Sequence, residues 1–209
     1  MKINEIEFIH GRAELLIASH NLGKIGEFHA LLSDLPFRLT DLRHFPDIPE
    51  IDETGGTFEE NARIKAIGYA KASGMYSMAD DSGLEVKALR GAPGVRSARF
   101  AGAQTGYDVK ISKLLDEIAA SKDVDRSACF VSHIVLADPE GSVMYEANGV
   151  CEGTIAEGPR GSNGFGYDPI FIPDGFTKTF GELDPDVKKT LSHRARALAK
   201  IIRFLRDFA

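Results

Sequence analysis

The stretch LLIASHNLGKIGEFHALLS, residues 15–33, indicates the fold class of this chain. Its first five residues form an apolar run that ends in a polar residue, which is typical of a short buried strand. In residues 24–33 the apolar side chains of Ile25, Phe28 and Leu32 recur at helical spacing. The stretch is therefore predicted to be a strand that passes through a polar loop into a helix.

The alternation of strands and helices continues along the chain. Further strands are predicted at residues 76–79, 84–86, 130–137, 142–147 and 149–156, and further helices at 57–71, 109–120 and from about residue 192. Thr57 and Glu60 have the spacing of a capping box, and Gly74 suits the end of that helix. Residues 138–141, Asp-Pro-Glu-Gly, predict a hairpin turn. Strands that alternate with helices and also form hairpins predict an α/β fold with a mixed sheet.

The composition excludes several classes of protein. Of 209 residues, 43% are hydrophobic and 27% are charged, which argues against a disordered chain. The net charge of −6 argues against a general nucleic-acid-binding protein, which needs a basic surface. We expect a single cytoplasmic domain, because no apolar run is long enough for a membrane span or a signal peptide. Cys129 and Cys151 are expected to be buried thiols.

Four polar, glycine-containing segments interrupt this pattern, and the first lies between the first strand and the first helix. It consists of Ser19, His20, Asn21, Leu22, Gly23 and Lys24. A loop that enters a helix directs backbone N–H groups and the positive helix end at one point, which suits an anion. The alternative is an ordinary helix N-cap formed by Ser19 or Asn21.

The second polar segment covers residues 50–65. Asp52 and Glu53 lie in a loop just before a predicted helix. Asn61 and Lys65 are four residues apart and so share one face of that helix. Lys65 could therefore reach an anion near this face. The alternative is a solvated surface helix.

The third segment has the sequence ADDSGL at residues 79–84 and continues into a glycine-rich stretch at residues 91–102. The adjacent carboxylates of Asp80 and Asp81 could share a hard cation, or their pKa values could be pushed apart. One of them could hold Mg²⁺ and orient a water molecule. The alternative is a turn in which the Asp side chains cap backbone N–H groups.

The fourth segment is GPRGSNGFGYDPIF, residues 158–171. Phe165 could lie flat against a nucleobase, and Asp168 could accept a hydrogen bond from a base N–H. The alternative is a tight loop anchored by a buried Phe and Tyr. Further hydrogen-bond donors follow downstream at Lys188, His193 and Arg194.

Taken together, the segments resemble the inosine/xanthosine triphosphate pyrophosphatase family. The family pattern combines [ST]-x-N-x-x-K, E-x-G-x-[ST]-F-x-E-N-A-x-x-K-A, A-D-D-S-G-L, P-G-x-x-S-A-R-[FY], G-F-G-Y-D-P-x-F and S-H-R. This chain carries these motifs, in that order, at residues 19–24, 53–66, 79–84, 93–100, 164–171 and 192–194. No single motif is specific, but the ordered set covers nearly the whole chain. Residues 1–13 precede the usual start of the family.

The resemblance implies a fold and an activity. The implied fold is a long central mixed β-sheet flanked by helices, with two lobes and the active-site cleft between them. The implied activity is Mg²⁺-dependent hydrolysis of ITP, dITP and XTP to the monophosphate and pyrophosphate, by a homodimer. Neither a nucleic acid nor a membrane is an expected partner. Two alternatives are a related septum-associated pyrophosphatase that prefers pyrimidine nucleotides and a catalytically silent nucleotide-binding module.

The resemblance also implies roles for individual residues. The segment from Ser19 to Lys24 holds the triphosphate, and Lys65 faces the phosphates. Asp81 is the proton acceptor and a metal ligand, while either Asp52 or Glu53 supplies a second metal ligand. The remaining substrate contacts are Ser82, Phe165, Gly166, Tyr167, Asp168, Lys188, His193 and Arg194. Donors on His193 or Arg194 are expected to select the 6-oxygen of the purine, whereas the way in which guanine is rejected stays open.

Overall fold

A computed structural model of the chain describes residues 14–207 and shows a mixed α/β fold. Its six strands are β1 Glu14–Ile17, β2 Arg38–Asp41, β3 Tyr76–Val86, β4 Ser127–Ala137, β5 Val143–Ile155 and β6 Phe171–Pro173. They form one sheet in the order β2-β1-β3-β4-β5-β6. β1 pairs in parallel with β2 and β3, whereas β5 and β6 are antiparallel. The predicted mixed sheet is thus confirmed.

Five α-helices accompany the sheet in the described part of the chain. They are α1 Leu22–Leu32, α2 Phe58–Ser73, α3 Tyr107–Ala120, α4 Pro185–Leu191 and α5 His193–Asp207. Among residues 14–207, none of them is long and apolar enough to cross a membrane. The N-terminal residues 1–13, for which the sequence suggests no role, lie outside the described residues.

The chain divides into two compact units. Within the described residues, unit 1 comprises the chain up to Asp81, the segment His133–Asn148 and the chain from Arg196 onward. Unit 2 comprises Ser82–Ser132 and Gly149–Ala195. One of the boundaries between the units therefore falls inside β3, between Asp81 and Ser82.

Unit 1 has a hydrophobic layer on each face of its part of the sheet. Leu15, Ile17 and Met78 pack with apolar residues of α1 and α5. Leu16 and Ala79 pack with apolar residues of α2. This division follows from strand geometry, because successive side chains point to opposite faces. Full burial of one such aliphatic side chain contributes about 1.5–3 kcal/mol to stability.

Unit 2 has one hydrophobic cluster, which is centred on α3. Ile111 and Leu114 of α3 pack with Leu84 of β3, Phe130 of β4 and Phe171 of β6. β6 also extends the sheet beyond β5, with Ile155 opposite Phe171. The cluster thereby anchors the strands and loops that carry the downstream motifs.

The helix ends follow the predicted capping rules. At the start of α2 the Thr57 side chain accepts a hydrogen bond from the N–H of Glu60, and the Glu60 side chain accepts one from the N–H of Thr57. The predicted capping box is thus confirmed. Gly74 ends α2 with φ of 68°, a left-handed conformation that glycine adopts without strain. At the start of α5 the Ser192 hydroxyl accepts from the N–H of Ala195 at 3.1 Å.

Two sequence predictions were wrong in detail. The pieces at 76–79 and 84–86 are one continuous strand, β3, because the carboxylates of Asp80 and Asp81 pair with lysines instead of capping a turn. The pieces at 142–147 and 149–156 are likewise a single strand, β5. The short elements β2, β6 and α4 were not predicted. Cys129 and Cys151 are free thiols, as expected, although Cys129 is only half-buried.

Candidate active site

A buried lysine organises a group of charged side chains in unit 1, which we term the carboxylate–lysine cluster. Its members are Lys24, Glu53, Lys65, Asp80 and Asp81. Lys65 lies on α2, and its Nζ donates to Oε1 of Glu53 at 2.6 Å, Oδ1 of Asp81 at 3.1 Å and the Asp80 carbonyl at 3.0 Å. Burial alone would lower the pKa of Lys65, but the charges of Asp81 and Glu53 outweigh it and raise the pKa. The two carboxylates therefore favour the charged form of Lys65.

Asp81 is held from two sides by residues of α2. Its Oδ1 accepts from Lys65, and its Oδ2 accepts from Nδ2 of Asn61 at 3.2 Å. The side chain is almost fully buried, and this burial raises the pKa of Asp81 above its ordinary value, although the charges of Lys65 and Lys24 act in the opposite direction. A carboxylate with a raised pKa is suited to accept a proton from water.

Asn61 also fixes the loop that precedes α2. Its Oδ1 accepts from the N–H of Gly55 at 2.8 Å, while its Nδ2 donates to Asp81. A Cβ atom at Gly55 would lie 2.7 Å from Asn61 Oδ1, so this approach requires glycine. Asn61 was predicted to share a helix face with Lys65, but no role was predicted for it. The spacing of four residues between them is the feature of the sequence that indicates a shared position.

Lys24 completes the cluster from α1. Its Nζ lies 2.9 Å from Oδ2 of Asp80. Asn21 is the N-cap of α1, because its Oδ1 accepts from the N–H of Lys24 at 3.1 Å, and the Ser19 hydroxyl accepts from the N–H of Asn21 at 3.1 Å. The capping alternative for this segment is thus confirmed, and it leaves the side chain of Lys24 beside β3. The intervening His20 and Leu22 are exposed, and Gly23 is half-buried.

The two acidic residues of β3 face opposite sides of the sheet. Met78 belongs to the layer with α1, and Ala79 belongs to the layer with α2. The alternation of a strand continues this pattern, so Asp80 meets Lys24 of α1 and Asp81 meets Lys65 of α2. The Asp-Asp pair is therefore distributed over both faces of the sheet.

The structure distinguishes the two acidic residues in the loop before α2. The Glu53 carboxylate contacts Lys65, whereas the side chain of Asp52 is exposed. Among residues 14–207, no group of three His, Cys, Asp or Glu side chains is arranged to hold a metal ion by itself. Mg²⁺, however, is commonly bound by one or two carboxylates together with substrate phosphates. Glu53 and Asp81 both contact the ammonium group of Lys65, so their carboxylate oxygens lie close together. Two carboxylates that bind one Mg²⁺ ion need this proximity.

A second group of side chains lies in unit 2, and we term it the aromatic–cation cluster. Its members are Ser82, Phe165, Asp168, Lys188, His193 and Arg194. Oδ2 of Asp168 accepts from Nζ of Lys188 at 2.5 Å and from the N–H of Phe165 at 2.8 Å. Gly164 has φ of 75°, and a Cβ atom there would collide with the Asp168 carboxylate. The glycine thus permits the turn that brings Phe165 and Asp168 together.

Two cations lie near the ring of Phe165. Nζ of Lys188 is 4.5 Å from the ring centroid, and the guanidinium carbon of Arg194 is 5.9 Å from it. Arg194 is buried, with 1% exposure, and its Nη2 donates to the Ser82 hydroxyl at 2.8 Å. His193 is also buried and stacks on Phe130 with ring centroids 4.8 Å apart. The cluster therefore presents a planar ring beside several hydrogen-bond donors.

Tyr167 occupies a different position from its neighbours. Its side chain is in the hydrophobic cluster of unit 2 with 2% exposure, and its hydroxyl donates to the carbonyl of Ser97 at 3.1 Å. Gly166 is half-buried with φ of 68°. The loop is thus anchored by a buried tyrosine, as one alternative from the sequence proposed, while Phe165 is only partly buried.

Comparisons with known proteins identify the family of this chain. Residues 15–204 match the model of the Ham1 family. The chain belongs to the Ham1 family. The resemblance inferred from the ordered motifs is therefore confirmed over nearly the whole chain.

Individual Ham1 relatives are similar to the chain throughout its length. A dITP/XTP pyrophosphatase from Exiguobacterium sp. is 47% identical over 188 residues, which cover 90% of this chain and 94% of that protein. One from Prochlorococcus marinus is 48% identical over 193 residues and covers 92% of each. The structure of a HAM1 protein from Coxiella burnetii superimposes with a TM-score of 0.86 at 44% identity, covering 93% of this chain and 99% of that one.

Proposed function

We propose that this chain hydrolyses non-standard purine nucleoside triphosphates, namely ITP, dITP and XTP, to the monophosphate and pyrophosphate. The observation that carries the proposal is the Asp81 carboxylate, buried between Lys65 and Asn61 with a raised pKa. Such a group is a candidate general base, which binding alone does not require. The names of the relatives, dITP/XTP pyrophosphatase, support the same activity.

The carboxylate–lysine cluster binds the triphosphate in this proposal. Lys24 and Lys65 supply positive charge, and the first turn of α1 adds backbone N–H groups and the positive end of the helix dipole. Three carboxylates accompany the two lysines, so the cluster cannot neutralise a triphosphate alone. A bound cation resolves this imbalance, because it converts the carboxylates from repelling groups into ligands.

Mg²⁺ is the cation that suits these residues. Glu53 and Asp81 would hold it through carboxylate oxygens, with the phosphates completing its coordination. When bound, Mg²⁺ neutralises phosphate charge and polarises the phosphoryl group. Lys65 holds both carboxylates in place, and Asn61 holds Asp81 against the loop that carries Glu53.

The hydrolysis step follows from the position of Asp81. Asp81 accepts a proton from a water molecule while the water oxygen bonds to the α-phosphorus. The bond between the α-phosphorus and the bridging oxygen breaks, and its electron pair leaves with pyrophosphate. Lys24 and Lys65 stabilise the negative charge that develops on the phosphate oxygens. Positioning and electrostatics supply the catalysis of such phosphorus chemistry.

The aromatic–cation cluster recognises the base in this proposal. Phe165 stacks on the purine, a contact that contributes about 1–3 kcal/mol per base. Arg194 and His193 donate to the 6-oxygen, and Asp168 accepts from a base N–H. Adenine presents an amino group at position 6, which would face these donors and leave them unpaired, so adenine nucleotides are rejected.

The two clusters are adjacent in sequence within β3. Asp81 is the last residue of unit 1 in β3 and Ser82 is the first residue of unit 2, so one peptide bond links the two clusters. A single nucleoside triphosphate pyrophosphatase domain is part of this proposal. The homodimer implied by the resemblance is part of the same proposal, and light scattering of the purified protein tests it.

Release of pyrophosphate tests the proposed function. Purified protein is incubated with dITP, XTP, dATP, dGTP and dTTP, each with and without Mg²⁺. We expect rapid release from dITP and XTP only, and only with Mg²⁺. Equal rates on dITP and dATP would contradict the proposed base recognition, and faster release from dTTP would indicate a pyrimidine-directed enzyme. Binding of dITP without release would indicate a silent binding module.

A further inference from the structure

The segment Pro93–Phe100 belongs to the ordered motifs, yet the proposed function gives it no role. Ser97 in its centre is buried, with 5% exposure. Its hydroxyl accepts from the N–H of Leu84 at 2.9 Å and donates to the carbonyl of Gly94 at 2.6 Å. A serine that uses both functions of its hydroxyl in this way is fixed in one orientation.

Ser97 is connected to one side of the aromatic–cation cluster through β3. Leu84, to which its hydroxyl is bonded, is two residues from Ser82 in the same strand. Residues two apart in a strand point to the same face. Ser82 in turn accepts from Nη2 of Arg194 at 2.8 Å. The position of Leu84 therefore sets the position of the partner of Arg194.

Ser97 is connected to the other side of the cluster through Tyr167. Its carbonyl accepts from the Tyr167 hydroxyl at 3.1 Å, and Tyr167 directly precedes Asp168. Asp168 holds both the Lys188 ammonium and the N–H of Phe165. Ser97 is thus one hydrogen bond from each of the two segments that carry the base contacts.

Two side chains of α3 restrict movement around this connection. Nζ of the buried Lys110 donates to the carbonyl of Ala98 at 2.5 Å and lies 4.9 Å from the centroid of the Tyr107 ring. The Tyr107 ring packs edge-on against Tyr167 with centroids 5.3 Å apart. Successive carbonyls of Ser97 and Ala98 are therefore both held by side chains from elsewhere in unit 2.

We infer that Ser97 and Tyr167 are positioning residues for base recognition, an inference that rests on the proposed function. Arg194 and Asp168 must reach one base at the same time, so their separation has to be fixed. The chain from Leu84 through Ser97 to Tyr167 fixes it. Neither Ser97 nor Tyr167 needs to touch the substrate with its side chain. Loss of the connection weakens hydrogen bonds to the base without changing the carboxylate–lysine cluster.

The substitution Tyr167→Phe tests the inference, because it removes the hydroxyl and keeps the buried ring. KM and kcat are measured with dITP and with purine riboside triphosphate, which has no 6-oxygen. We expect KM for dITP to rise about three- to tenfold, as for a lost buried hydrogen bond, with kcat within about twofold. KM for purine riboside triphosphate should change by less than about twofold, because that base makes none of the affected contacts at position 6.

A second variant and a matched control sharpen the test. Ser97→Ala should produce the same pattern, and the double variant should raise KM by less than the product of the single effects, because both changes break one connection. Tyr145→Phe, in a ring that stacks on Phe204 of unit 1, is the control and should leave KM unchanged. Equal rises in KM for both nucleotides, or a lower kcat at unchanged KM, would overturn the inference.

Product binding separates this inference from the proposed function. The affinities of dIMP and of purine riboside monophosphate are measured by calorimetry for the same variants. If the wild type binds dIMP but releases no pyrophosphate from dITP, the proposed function fails. The positioning role of Ser97 and Tyr167 is then decided by the affinities of the two monophosphates alone. Selective weakening of dIMP in Tyr167→Phe would support it, and equal affinities in wild type and variant would refute it. A wild type that neither binds dIMP nor releases pyrophosphate from dITP refutes both.

Discussion

Nζ of Lys65 lies 3.1 Å from Oδ1 of Asp81, and both side chains are buried. The neighbouring carboxylates raise the pKa of the lysine, and burial keeps the pKa of the Asp81 carboxyl above its ordinary value. The lysine also contacts Glu53, so one ammonium group aligns two carboxylates. Asp81 can therefore act as the base that accepts a proton from water, and Lys65 can act as an electrostatic contact for a phosphate group.

Asp81→Asn removes the proposed base and keeps the shape of the side chain. We expect kcat for dITP to fall by at least about 10²-fold, the usual contribution of a general base, while binding of dITP weakens but stays detectable, because Asp81 is also a proposed Mg²⁺ ligand. Pyrophosphate release and calorimetric binding are the two measurements. Asp116→Asn on the exposed surface of α3 is the control and should behave as the wild type. Full activity in Asp81→Asn would remove Asp81 from the mechanism.

The pH dependence of kcat should respond to Lys65. Asp81 has to be ionised to accept a proton, so log kcat rises with pH until the pKa of Asp81 is passed. The positive charge of Lys65 lowers that pKa, although burial raises it more. In Lys65→Met the rising limb should therefore move to higher pH, in addition to any loss of phosphate binding. A limb that stays in place or moves to lower pH would contradict the assignment of Asp81.

Substitutions at Glu53 and Asp52 test which of them holds the metal. Glu53→Gln removes the carboxylate that contacts Lys65, so the Mg²⁺ concentration for half-maximal activity should rise about tenfold or more. Asp52→Asn changes an exposed side chain and should leave that concentration unchanged. Titration of activity with Mg²⁺ measures both. The opposite ranking would place the metal on Asp52.

Phe165→Leu tests the stacking of the base. The change keeps an apolar side chain and removes the flat ring, so KM for dITP should rise about five- to 100-fold if stacking contributes about 1–3 kcal/mol. The rise should be similar for purine riboside triphosphate, since stacking does not depend on the 6-oxygen. Steady-state kinetics with both nucleotides measure it, with Phe176→Leu on the exposed surface of unit 2 as the control. An unchanged KM would mean that Phe165 does not stack on the base.

The sequence predicted the elements whose signals are local. The capping box at Thr57 and Glu60 and the left-handed Gly74 follow from residues within one turn of each other. The break predicted between the strands at 76–79 and 84–86 was wrong, because the lysines that pair with Asp80 and Asp81 come from helices elsewhere in the chain. β2 and β6, with four and three residues, are too short to show a period.

The motifs indicated the residues of the two clusters, but not the hydrogen bonds and ion pairs that connect them. The motifs indicated Lys65, Asp81, Asp168 and Lys188, yet no spacing shows that Lys188 pairs with Asp168, twenty residues away. Whether Glu53 or Asp52 contacts Lys65 depends on the conformation of the loop before α2. The hydrogen bond from the N–H of Gly55 to Asn61 helps to fix that conformation. The sequence could not show whether the Tyr167 ring lies in the core or contacts the substrate, because an aromatic residue suits both positions.

Asp80 and Asp81 lie on opposite faces of β3. The number of residues in this strand is therefore more strongly constrained than the identity of its side chains. A single-residue insertion between Met78 and Asp80 would invert the facing of the β3 residues beyond it. Asp81 would then point toward α1, and Ser82 would turn away from Arg194. We therefore expect that natural variants of this chain exchange side chains in β3 far more readily than they gain or lose a residue there.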